Sequence, residues 1–368
     1  MIARAIRVAV LLTTVLVTAL GAQAADWPSF RGNPAMTGVA PAAFSDNPKL
    51  AWQVNIAGGI TSTAAIVGDA VYVGSRGKSV VSVHLSDGRT RWQAATKGSV
   101  SASPAVSNGR VFVGDESGVF YALSAASGQQ LWKYTFGDKI MSSATVVDNT
   151  VLVGSYDNYL YCLDAATGKK RWSFKADAQV HCSPTVTGDL VIIASCDGYV
   201  RFINRHTGKQ RTPTFLGGNY ATAPAYSAGA VFVGDMAGNY AAVVTKSGQV
   251  AWKTTFARDG GASYGSPAIS GRLVVFGSRN RNVFALDRST GASKWVFAAG
   301  DAVDSSPVVA GGRIFVGCDN GRLYCLDLTT GRKVWQYTLG SQVTASPALG
   351  GNRLVIGTEA GALYCFRP

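Results

Sequence analysis

Residues 103–134 read SPAVSNGRVFVGDESGVFYALSAASGQQLWKY, and the fold of the whole chain is decided by this stretch. Short runs rich in Val, Phe, Tyr and Leu alternate with Asn108-Gly109, Asp115 to Gly118 and Ser127-Gly128. Runs of strand length bounded by Gly, Asn and Asp read as strands joined by tight turns. The expected strands are 102–107, 110–114, 119–123 and 130–134, the last carrying Trp132.

The same phrase recurs along the chain. Seven of the eight Trp fall at 52, 92, 132, 172, 252, 295 and 335, spaced by 40 residues or by 80 where one beat is lost, with three extra residues before Trp295. The lost beat falls at Thr212. Eight copies of the first-strand phrase can be read, from Thr63-Ala64-Ala65 through Ser103-Pro104-Ala105 to Ser346-Pro347-Ala348. A unit of about 40 residues with four strands is a propeller blade. The eighth copy ends at Pro368 after its third strand, while Leu50 to Val54 has fourth-strand character and precedes the first copy. The expected fold is therefore all-β: an eight-bladed propeller of four-stranded antiparallel blades, with the N-terminal strand completing the last blade and leaving no open edge in the ring.

Composition agrees. The 368 residues hold 43 Gly and 12 Pro, with 47% apolar and 15% charged, which suits many short strands and excludes a disordered chain. Arg4 and Arg7, an apolar run from Val8 to Leu20 and Ala22-Gln23-Ala24 read as a secretory signal peptide over residues 1–24. The run is shorter than the 18–20 or so apolar residues a membrane span needs, and no Cys follows it to carry a lipid. Residues 25–48 form an N-terminal extension and 49–368 a single propeller. The formal charge of +13 falls to +11 once Arg4 and Arg7 are removed. In a cytosolic protein such a charge would point to nucleic acid; export to the periplasm or beyond makes an acidic envelope partner the better expectation.

Val111-Phe112-Val113-Gly114, Leu160-Tyr161-Cys162-Leu163-Asp164 and Thr167-Gly168-Lys169-Lys170-Arg171-Trp172 resemble the pyrroloquinoline-quinone (PQQ)-like propeller repeat. Trp27-Pro28-Ser29-Phe30-Arg31-Gly32-Asn33 is similar to the opening of many exported single-domain members. Two branches of the family matter. PQQ-dependent dehydrogenases hold quinone and calcium at one channel mouth, against a ring of adjacent cysteines; this chain has no Cys-Cys pair and few acids outside its repeat turns. The other branch, similar to the outer-membrane assembly factor BamB, is non-catalytic and matches in length and export. The resemblance thus implies a monomeric, non-enzymatic periplasmic scaffold that binds a protein of the cell envelope, such as the outer-membrane assembly machinery. The alternatives are a PQQ- and calcium-dependent oxidoreductase or a ligand-sensing propeller.

No catalytic, cofactor-binding or metal-binding residue is assigned. His84, His181 and His206 are the only histidines, and His181-Cys182 with Cys196-Asp197 is the nearest approach to a metal-ligand set. Cys182 and Cys196 lie nearly equidistant from the Gly188-Asp189 turn, so export leaves a disulfide between them open. Cys162, Cys325 and Cys365 replace a small apolar residue of the third-strand phrase.

The repeat breaks between copies four and six, where the Trp beat is lost and the connection before Tyr264 is lengthened. Breaks in a packing pattern mark places shaped by something else. Inter-blade connections share a face with the second-to-third-strand turns, so this face is expected to carry a partner site of Arg258, Asp259, Tyr264, Arg279, Arg281, Asp301 and Asp304. Tyr220 and Tyr264 hold comparable places in copies five and six and are expected to ring one opening, while Arg110 and Arg313 mark the opposite face.

Overall fold

The computed structural model describes residues 25–255 and 261–368. Among these, 32 strands form eight four-stranded antiparallel sheets, with no helix. In chain order, blades 1 to 7 span residues 65–95, 105–135, 145–175, 185–215, 225–255, 268–298 and 308–338. Blade 8 takes three strands from residues 348–367 and its outer strand from Lys49–Asn55. That strand pairs antiparallel with Ala362–Arg367, from Lys49 opposite Arg367 to Asn55 opposite Ala362. The expected closure is therefore observed, one residue longer at each end.

In blade 2 the strands are Ala105–Ser107, Arg110–Gly114, Val119–Ser124 and Gln130–Thr135. The first begins three residues later than expected. Pro104 has no N–H to give a ladder, and the Ser103 N–H instead donates to Ser143 Oγ of blade 3 at 2.9 Å.

The core lies between blades. Tyr72 and Val80 of blade 1, for example, pack with Val111 and Val113 of blade 2, and burying each such side chain stabilises the fold by about 1.5–3 kcal/mol. Six of the outer-strand Trp then lock onto the next blade in one way. The Trp92 indole N–H donates to the Ala125 carbonyl at 3.0 Å, and the ring covers Gly128. The same dock joins Trp52 to Leu85, Trp132 to Ala165, Trp172 to Arg205, Trp252 to Arg288 and Trp295 to Leu328. Trp52, on the closing strand, thus clamps blade 8 onto blade 1.

Where the beat is lost, the outer strand of blade 4 shrinks to Thr214–Phe215. Arg211 takes over the missing indole's hydrogen bond, donating to the Thr245 carbonyl at 2.6 Å and stacking its guanidinium 5.4 Å from the Phe202 ring centroid.

Residues 25–48 wind around the inside of the ring. The innermost strand of each blade has a free inner edge, whose N–H groups need acceptors. Val106 donates to the Pro28 carbonyl, Val186 to Pro34, Tyr226 to Ala35, Ile269 to Thr37 and Val309 to Gly38. Trp27 makes a two-way bridge with Ile66, and Arg31 anchors the extension to blades 6 and 7. Its buried guanidinium donates to the Pro267 and Pro307 carbonyls at 2.9 and 2.6 Å. Burial lowers its pKa to about 9, which leaves it charged at neutral pH. Outside the ring, Arg313 ties the extension down by bridging Asp46 and Asp327.

Candidate functional site

The extension closes one end of the central channel and leaves a blind well of about 400 Å³ with Phe30 among its lining residues. Two tiers of side chains line it, one pair from each blade. The lower tier is nearly uniform: Thr63, Ser103, Ser143 and Ser183, then Ala223, Ser266, Ser306 and Ser346, all buried. Its hydroxyls stitch the ring together. Thr63 N–H donates to Ser103 Oγ, Ser103 to Ser143, Ser143 to Ser183, Ala223 to Ser266, Ser266 to Ser306 and Ser306 to Ser346, each at 2.9–3.0 Å. The recurring serine of the first-strand phrase is thus an inter-blade hydrogen-bond acceptor, a role the repeat alone did not disclose.

The upper tier, two residues earlier in each blade, differs at almost every position: Thr61, Ser101, Met141, His181, Ala221, Tyr264, Asp304 and Thr344, all half-buried. Around it the loops bring charge. Ser101 Oγ donates to Glu116 at 2.6 Å, and Thr344 Oγ1 to Glu359 at 2.9 Å. Arg76 lies 3.4 Å from the other Glu359 oxygen. His181 Nδ1 and the Tyr156 hydroxyl share a hydrogen bond of 2.5 Å, with the Lys139 ammonium 4.5 Å over the Tyr156 ring. Burial, then the nearby Lys139, pulls the His181 pKa down to about 4, so the imidazole is neutral at pH 7.

Of the expected partner site, Tyr264, Arg279 and Asp304 come together. Arg279 holds Asp304 through two bonds of 2.8 and 2.5 Å and stacks 4.0 Å over the Tyr264 ring. Asp319 stands by this group. Burial, then Asp304, raises its pKa to about 6 against the opposing pull of Arg279. Arg281 is exposed on a turn with φ of 69°. Asp301 is exposed and accepts the Ala302 N–H at 2.8 Å. Arg258 and Asp259 lie outside the described residues, as does the signal-peptide reading of residues 1–24. The inter-blade connections do share the face of the second-to-third-strand turns: Val100 N–H donates to the Ser75 carbonyl and Glu116 N–H to Ser99.

Several expectations are corrected. Tyr220 is buried, because it sits three residues before its tier position where Tyr264 sits two; that one-residue offset turns the side chain to the other side, and Ala221 lines the well instead. The Cys182–Cys196 bridge is not formed, and both are free thiols. The hairpin register pairs Thr185 with Ile192 and Thr187 with Leu190, which carries Cys182 opposite Ser195 and leaves Cys196 one residue out of step. Cys182 Sγ accepts the Ala194 N–H at 3.3 Å, the role Ser142 plays for Gly154 in blade 3, and Cys196 Sγ faces the Tyr220 carbonyl at 3.8 Å. His181 and Asp197 do not converge with them, since Asp197 is held by Arg201 at 2.7 Å. In the second-to-third-strand turn of blade 2, Asp115 is fully buried and accepts the Ser117 and Val119 N–H groups and the Tyr121 hydroxyl.

Eight four-stranded blades, the Trp dock and the phrase that builds them define a PQQ-type repeat propeller. The chain belongs to the family described as outer membrane protein assembly factor BamB, whose model matches residues 38–143, 115–284 and 279–368. Among solved structures it is similar to BamB from Moraxella catarrhalis, at 17% identity and a TM-score of 0.76 over 87% of this chain and 98% of that one. It is also similar to a europium-containing methanol dehydrogenase, at 16% identity and a TM-score of 0.80 over 94% of this chain and 98% of that one. A third likeness is to the quinohemoprotein alcohol dehydrogenase from Comamonas testosteroni, at 15% identity and a TM-score of 0.79 over 93% and 80%. At these identities the likeness is one of fold. A comparison with curated protein sequences gives no match.

The dehydrogenase fold implies a quinone and a cation at the mouth. Among the described residues no group of three or more His, Cys, Asp or Glu side chains is placed to hold a metal ion. Three of the mouth carboxylates are engaged elsewhere, Glu116 by Ser101, Asp304 by Arg279, and Glu359 by Thr344 and Arg76, while Asp319 keeps a buried Oδ1 without a hydrogen-bond partner.

Proposed function

We propose that the chain is a non-catalytic scaffold of the cell envelope that binds a protein partner through its open loop face. The observation that carries this reading is the Tyr264–Arg279–Asp304 stack, a preformed charged and aromatic group on a rigid rim. Loops on a rigid scaffold carry function more often than the scaffold does. Arg281 and Asp301 extend that face, and Arg258 and Asp259 in the lengthened connection complete the partner-binding set. Family membership supports an outer-membrane assembly component as the partner and a periplasmic location after removal of residues 1–24. Among the described residues no helix is long and apolar enough to cross a membrane.

The test is capture of a purified outer-membrane assembly component by residues 25–368, beside Arg279→Ala and Asp304→Ala. Removing one member of a desolvated ion pair at an interface weakens binding by about 2–5 kcal/mol, whereas Arg110→Ala on the opposite face should leave capture intact. Equal capture by all variants, or dye-linked alcohol oxidation after reconstitution with PQQ and calcium, would overturn the reading.

A further inference from the structure

In a repeat protein, positions that serve the fold repeat and positions that serve something else need not. The lower tier keeps a hydroxyl in seven of eight blades, as the inter-blade stitching requires. Two residues away the upper tier carries seven different residue types at eight equivalent places, and all eight face one blind well.

The differences are sorted in space. Blades 3 to 6 supply a contiguous arc of Met141, His181, Ala221 and Tyr264; blades 7, 8, 1 and 2 supply Asp304, Thr344, Thr61 and Ser101. One wall is therefore apolar and aromatic, the other a wall of hydroxyls and carboxylate. Behind the polar wall, Glu116 and Glu359 each already accept a wall hydroxyl, and Arg76 adds a cation. Donors, acceptors and both signs of charge stand side by side, so neither a bare anion nor a bare cation matches this wall. A ligand that both donates and accepts does.

The apolar wall is held in place from outside. Arg279 stacks on Tyr264 without itself lining the well, and the His181 ring is fixed through Tyr156, under Lys139. Fixed rings lower the ordering cost of binding. A cavity of about 400 Å³ falls within the range of small-molecule sites, which join apolar lining to a few placed polar groups.

We infer that the well binds a small neutral saccharide, with the C–H face of its ring on the Met141–Tyr264 arc and its hydroxyls on the Asp304–Ser101 arc. The well shares Tyr264 and Asp304 with the partner-binding stack, so the variants that test it are placed at Ala221 and Glu116, outside that stack.

The probes are glucose, N-acetylglucosamine and maltose, titrated into residues 25–368 and read by saturation-transfer NMR and calorimetry. Saturable millimolar or tighter binding of at least one sugar is expected. Ala221→Trp, which fills the well from a half-buried position, should abolish it. Glu116→Gln should weaken it about tenfold, as loss of a charged hydrogen-bond acceptor does. Both variants should melt as the parent does and still capture the protein partner, so failure here and failure of the scaffold reading are read separately. No saturable binding of any of the three sugars would overturn the inference, as would binding indifferent to Ala221→Trp. So would tighter binding of tetramethylammonium or citrate than of any sugar.

Discussion

Gly128 lies beneath the indole of Trp92, close enough that a Cβ added at Gly128 would meet Cε3 of the ring at 2.6 Å. The two residues belong to consecutive blades, so the Thr/Ser-Gly and Trp of the repeat phrase are the two halves of one joint. Gly128→Ala forces the ring outward and also strains a backbone at φ of 73°. The expected loss is about 2–3 kcal/mol, combining overpacking with an αL penalty. Gly109→Ala is the control. It has a similar φ of 69° but open space around its Cβ, so only the backbone cost of about 1–2 kcal/mol applies. Chemical denaturation of both variants checks the difference, and equal losses would mean the joint adds nothing.

Arg211 replaces an indole N–H with a guanidinium at the one blade junction that lacks its Trp. Arg211→Met keeps the apolar stem over Phe202 and removes the donor. Its denaturation midpoint should fall by the equivalent of about 1–2 kcal/mol, because the Thr245 carbonyl loses a charged partner. An unchanged midpoint would show that the Phe202 contact alone holds this junction.

Much of this architecture was legible because it repeats. A Trp every 40 residues, an Asn-Gly turn and a truncated eighth copy suffice for blade number, face assignment and closure. What repetition could not disclose is what happens once. Residues 25–48 have no period, and their bonds to Val106, Val186 and Val309 are backbone bonds that leave no side-chain signature. The ring serines were legible as small residues but not as acceptors, since their donors lie 40 residues away in the next blade. Tyr220 and Cys196 were misplaced by a single residue, which in a strand is the difference between two faces. Tyr264, Arg279 and Asp304 were legible as one face; their stacking depends on loop conformations with no sequence pattern.

Closure of the ring rests on Lys49–Asn55. Deleting residues 49–55 removes the outer strand of blade 8 together with the Trp52 clamp on Leu85. Loss of a buried Trp alone costs about 3–5 kcal/mol, and the exposed edge of Ala362–Arg367 becomes a template for pairing with other chains. The truncated protein should melt far below the parent and form oligomers on gel filtration. A monomer with the parent's melting temperature would show that blade 8 needs no fourth strand.

Two groups at the well mouth titrate with opposite consequences. Asp319 has its folded pKa raised to about 6, so between pH 4 and 6 the folded state holds a proton that the unfolded chain has released. Its contribution therefore weakens stability as pH rises through that window. His181 has its folded pKa lowered to about 4, so from pH 6.5 down to 4 the unfolded chain binds the extra proton. Its contribution is present above pH 6.5 and is lost as pH falls. Asp319→Asn should thus raise stability at pH 7 by about 1 kcal/mol, after discounting for solvent at the half-open rim, and give no gain at pH 4. His181→Gln should instead relieve the loss on acidification, because no imidazole has to stay neutral. Thermal melts of the two variants and the parent at pH 4, 5.5 and 7 separate these effects. Parallel shifts at all three pH values would show that neither group titrates abnormally in the fold.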